Sequence, residues 1–95
     1  MAAQGSGVGG KSMKAVATDV AEGYMTINPL VLKKFDKVMV KDLYEHLNKA
    51  MNVARNIAAP LTDIIAMRNK NMRLQRLHNA IIVLRNTARE KRIPL

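Results

Sequence analysis

The sequence predicts an all-α protein: a short first helix, then a long antiparallel helical hairpin, behind a flexible glycine-rich N-terminal tail. Three observations carry this prediction. Apolar residues recur at helical spacing in three separate stretches, Pro and cap-forming residues punctuate the chain between them, and no stretch reads as the strands of a parallel sheet.

Residues 1–10, MAAQGSGVGG, hold four of the five glycines and no large apolar side chain beyond Met1. Burial there cannot offset the entropy of ordering, so this segment reads as a tail and residues 11–95 as one helical domain. Met13, Val16, Ala17, Val20, Ala21 and Tyr24 then follow at i, i+3, i+4, i+7, i+8 and i+11, one face of a helix over about 12–25. Gly23 sits near its end.

Asn28-Pro29 signals the next start, because Asn caps open N–H groups and Pro at the first helical position loses nothing by lacking one. No Gly or Pro interrupts Leu30 to Ala59, and an apolar stripe runs through Leu32, Phe35, Met39, Leu43, Leu47, Ala50, Met51, Ala54, Ile57 and Ala58. The spacing predicts one helix over about 29–59, with Asp36 or Asp42 interrupting the stripe or sitting at its edge. Pro60 ends it.

Beyond Pro60, Thr62 offers a hydroxyl cap and Asp63 a first-turn acid for a third helix over about 62–92. Leu74, Leu77, Ile81, Leu84 and Ala88 are spaced 3, 4, 3 and 4, a packing seam with Leu32, Phe35, Met39, Leu43 and Leu47 opposite. Ile64, Ile65 and Met67 extend the apolar surface backward, and Asn69-Lys70-Asn71 is the point where the helix should bend or fray. The second and third helices match in length and form a hairpin about 45 Å long at 1.5 Å per residue. Each buries only one stripe, so the first helix or a second copy of the chain must cover what remains.

The composition excludes several functions. There is no Cys for a disulfide framework or a thiolate zinc site, and no apolar run approaches the roughly 20 residues that span a bilayer. No hydrophobic signal core or arginine-rich transit segment opens the chain, so a soluble intracellular protein is expected. The charge is +9, divided unevenly: net +3 in residues 1–60 and +6 in residues 61–95. Such a second half attracts polyanions, whether nucleic acid, anionic lipid or an acidic protein face.

One motif invites a sharper reading. GSGVGGKS at 5–12 fits the phosphate-loop pattern, with Gly5 and Gly10 framing the loop, Lys11 reaching the phosphates and Ser12 holding magnesium. That chemistry needs a buried strand to deliver the loop, and only MAAQ precedes Gly5. The motif is read as tail, and no cofactor is expected. The only serines are Ser6 and Ser12. His46 and His78 fall on different helices and belong to no metal-ligand pair at fixed spacing, so neither catalytic nor metal-binding residues are assigned.

The basic residues offer the remaining candidates. Arg85, Arg89 and Arg92 fall at i, i+4 and i+7, while Arg68, Arg73 and Arg76 spread around the preceding turns. No aromatic follows Tyr44, so bases find no stacking platform in this half. Seven methionines suit irregular core gaps or an adaptable binding face. Together these features predict a non-enzymatic interaction or assembly protein whose partner is another protein or a second copy. A nucleic-acid-binding module using the same arginines is the alternative, and attachment to anionic membranes is a weaker one.

Overall fold

Each helix begins where a short polar side chain caps it. The computed structural model describes residues 7–8 and 11–95, and in it four helices follow one another: α1 (Met13–Glu22), α2 (Pro29–Leu32), α3 (Lys37–Asn56) and α4 (Ile64–Glu90). Ser12 Oγ accepts from the Ala15 N–H at 3.1 Å, Asn28 Oδ1 from Val31 at 2.9 Å, Asp36 Oδ1 from Met39 at 2.8 Å and Asp63 Oδ1 from Ala66 at 2.9 Å. Each oxygen satisfies one of the N–H groups a helix start leaves open, an interaction worth about 1 kcal/mol. Before α1, Gly7–Val8 pairs antiparallel with Lys11–Ser12 in a two-residue ladder, so part of the segment read as tail carries local pairing.

The helix expected over 29–59 is two helices. After α2 the chain turns, with the Lys34 N–H donating to Val31 O and the Phe35 N–H to Leu32 O, and Asp36 caps a fresh start. The turn brings both Leu32 (0% exposed) and Phe35 (4%) into the core. Lys91, from the far end of α4, donates through Nζ to the carbonyl oxygens of Leu32 at 3.0 Å and Phe35 at 3.5 Å. A capping carboxylate and a donor on another helix together outweigh the absence of Gly or Pro.

Other boundaries move for similar reasons. α1 stops at Glu22, where Gly23 adopts φ 85°, donating its N–H to Val20 O while Tyr24 donates to Asp19 O. This is the Schellman closure, and it turns Tyr24 out of the helical stripe to 81% exposure. At the start of α4, Asp63 rather than Thr62 is the cap, and the helix runs unbroken through Asn69-Lys70-Asn71. α4 ends at Glu90 with the same closure as α1: Arg92 takes φ 58°, donating to Arg89 O, and Ile93 donates to Ala88 O.

α3 and α4 pack antiparallel, since Lys91 at the end of α4 meets the turn before α3 and residues 57–63 join the other ends. α1 lies against both helices and donates Met13, Val16, Ala17, Val20 and Ala21 to their shared core. Met39, Val40, Leu43, Leu47 and Met51 of α3 meet Leu77, Ala80, Ile81, Leu84 and Ala88 of α4. The radius of gyration is 14.1 Å, against about 12 Å for a compact chain of this length. The excess comes from a hairpin longer than the helix that covers it.

Candidate partner-binding surface

α1 is 10 residues long and α4 is 27, and this difference defines the surface. The end of α1 reaches α4 at Arg73 and Arg76. Arg73 Nη1 pairs with Glu22 Oε1 at 2.6 Å, and Arg76 Nη1 donates to Ala21 O at 3.1 Å. From there toward the hairpin tip α1 no longer covers α4, and the first fully buried residue of α4 is Leu77.

The consequence is an apolar tip in water. Ile64 (69% exposed), Ile65 (72%) and Leu61 (84%) stand at the start of α4 and in the connection, with Val53 (64%) on the last turns of α3. Leu61, Ile64, Met67 and Met72 line one open groove along α4, flanked by Arg68. Single exposed apolar residues are ordinary, but several grouped at one end of a small protein mark a contact surface.

A second concavity lies between α1 and α3. Its volume is about 350 Å³, and its floor is formed by Ala17 and Ala21 of α1 with Ala50 and Ala54 of α3. Short side chains at i and i+4 on both helices keep the space between them open. Val53 and Ile57, both exposed, continue its apolar lining toward the C-terminal end of α3. Lys14 and Lys49 stand on its two walls and Arg73 at its end, and no carboxylate lines it.

The residues singled out from sequence fall into separate places. Leu77, Ile81 and Leu84 are buried in the seam between α3 and α4, while Leu74 is partly buried and packs against the core edge. The six arginines divide by role. Arg73 and Arg76 hold α1, whereas Arg68, Arg85 and Arg89 are exposed. Arg92 is also exposed, but its left-handed backbone takes it off the helical face of Arg85 and Arg89, so the expected three-arginine ridge is a pair. His46 pairs with Asp42 at 3.2 Å on α3, and His78 is exposed on α4.

For the phosphate-loop lookalike, Gly5 and Gly10 lie outside the described residues. Lys11 belongs to the two-residue ladder, and the Ser12 hydroxyl serves as the cap of α1. No group of three or more His, Asp or Glu side chains is placed to hold a metal ion among the described residues. No helix among them is long and apolar enough to cross a membrane.

Sequence reasoning missed the concavity and the bareness of the tip. The alanine pairs Ala17/Ala21 and Ala50/Ala54 are a visible signal, but which helices face each other across them is set by packing. No protein-family pattern, curated protein or solved structure matches the chain.

Proposed function

We propose that the protein is a non-enzymatic assembly module that docks onto a protein partner through the apolar tip of its α3–α4 hairpin. The exposure of Leu61, Ile64 and Ile65 together carries this reading. Burying three such side chains in an interface stabilises a complex by several kcal/mol at roughly 25 cal/mol per Å², before the costs of association. The remaining core does not depend on them, so the tip is available for binding without loss of fold.

The test is purification of the complex under gentle cross-linking from the native source, comparing wild type with Ile64→Asp/Ile65→Asp. The wild type should carry a stoichiometric partner or a second copy, and the double variant should lose it while remaining helical. A wild-type chain that sediments as a monomer with nothing bound overturns the reading.

The exposed pair Arg85 and Arg89, one turn apart on α4, favours nucleic acid as a second reading. Titration with duplex and single-stranded DNA at two salt concentrations examines it. Affinity with a steep salt slope that falls in Arg85→Ala/Arg89→Ala supports this alternative, and no affinity at low salt removes it.

A further inference from the structure

We infer that the concavity between α1 and α3 is a seat for an acidic amphipathic helix of a protein partner. This rests on the reading of the chain as a docking module and names the chemistry of what docks. Three properties of the groove define the occupant.

The first is its shape. Along α3 and its cap residue the lining runs from His46 to Ile57, about three helical turns or 16 Å at 1.5 Å per residue. Alanine floors on both walls leave a trough into which larger side chains of a third helix interdigitate, and Val53 and Ile57 give it an apolar exit toward the tip. An apolar stripe recurring at i, i+3 or i+4, and i+7 fills a trough of that length.

The second is the charge of the rim. Lys14 rises from α1 and Lys49 from α3, and among the described residues neither has an ion-pair partner. Cations on opposite walls call for acidic residues on both edges of the incoming stripe. The rim already shows this chemistry at one end, where Arg73 holds the carboxylate of Glu22 at 2.6 Å.

The third is the charge of the whole chain. At +9, a second copy would bring its own excess of cations to a rim that already repels them. The groove therefore favours a partner of opposite sign over self-association.

The experiment titrates the full-length protein, by fluorescence anisotropy, into a hydrocarbon-stapled helical peptide of about 18 residues. One peptide carries a leucine stripe edged by Glu, and a control carries the same stripe edged by Lys. The Glu peptide should bind at least about tenfold tighter than the Lys peptide, with affinity falling as salt rises. Lys14→Glu/Lys49→Glu, at two exposed surface positions, should reverse the order of the two peptides. Ala50→Trp should fill the trough and weaken the Glu peptide by a similar factor, with helicity checked by circular dichroism.

Equal affinity for both peptides, or none for either, overturns the inference. So does binding of phosphatidylglycerol vesicles that Lys14→Glu/Lys49→Glu abolishes without any peptide binding, since that outcome assigns the groove to lipid. Ile64→Asp/Ile65→Asp separates the two proposals. Peptide binding that survives in this variant while the native complex is lost places the groove and the tip on independent footings. A native complex that survives while the peptides fail sinks the groove alone.

Discussion

Arg76 of α4 donates from Nη1 to the carbonyl oxygen of Ala21 at 3.1 Å, in the space that the missing side chain of Gly23 leaves open. A Cβ on Gly23 would stand 3.0 Å from Arg76 Cζ and 3.2 Å from its Nε. One glycine thus serves two purposes. It supplies the left-handed turn that closes α1, and it admits the guanidinium that ties α1 to the hairpin.

Gly23→Ala is expected to destabilise the protein by about 1–2 kcal/mol, through left-handed strain plus displacement of the Arg76 contact. Urea denaturation measures it. Arg76→Met should cost less in the Gly23→Ala background than in the wild type, because the contact is already disturbed. Equal costs in both backgrounds would show that the two residues are not coupled.

Asp36→Ala distinguishes the observed break from the unbroken helix that the sequence suggests. In a continuous helix over 29–59 the change would replace a poor helix former with the best one and stabilise the protein. At the cap of α3 it removes the acceptor for the Met39 N–H and should cost about 1 kcal/mol, with Asp36→Asn retaining most of the stability. The sign alone decides between them.

Arg92 offers the opposite prospect. Its φ of 58° is a conformation that glycine adopts at little cost and arginine does not. Arg92→Gly should raise stability by about 0.5–1 kcal/mol while removing an exposed cation. A lower thermal midpoint would mean that the arginine side chain contributes a contact outweighing the backbone strain.

The two ends of α4 should respond differently to truncation. Leu77→Ala and Leu84→Ala empty sites with no solvent exposure and are expected to cost about 2–5 kcal/mol each. Ile64→Ala, at 69% exposure, should change stability by less than about 0.5 kcal/mol. Chemical denaturation of the three variants checks this, and a large loss at Ile64 would show that the tip is part of the core after all.

Pattern alone made much of the fold legible. The periodicity of Met13 to Ala21, Leu32 to Ala54 and Leu77 to Ala88 marks which faces are buried, because period 3.6 is a property of the helix and needs no knowledge of neighbours. Asn28-Pro29 and Pro60 mark boundaries by local chemistry. Asp36 was ambiguous for a physical reason. An Asp within a helical stripe reads as a surface residue or as a cap, and the choice depends on whether something elsewhere accepts the turn. Here Lys91, 55 residues away in sequence from Asp36, donates to the carbonyl oxygens of Leu32 and Phe35 that the turn exposes.

The candidate surface was less legible. Ile64, Ile65 and Met67 carry the same apolar signal as Leu77 and Leu84, and nothing in their own spacing tells a covered residue from a bare one. Arg73 and Arg76 likewise look like their exposed neighbours Arg68 and Arg85, although they hold α1 in place.

By itself, then, the sequence determined the helical class, the apolar faces and the excess of positive charge, because each follows from local periodicity or simple counting. Tertiary structure decided which parts of those faces are covered. α1 ends at Glu22, capped by Gly23, and its last turn reaches α4 at Arg73 and Arg76, so the seam from Leu77 to Ala88 is core while the equally apolar start of α4 meets solvent. Burial is a relation between elements, and the length of one helix set where it stopped on another.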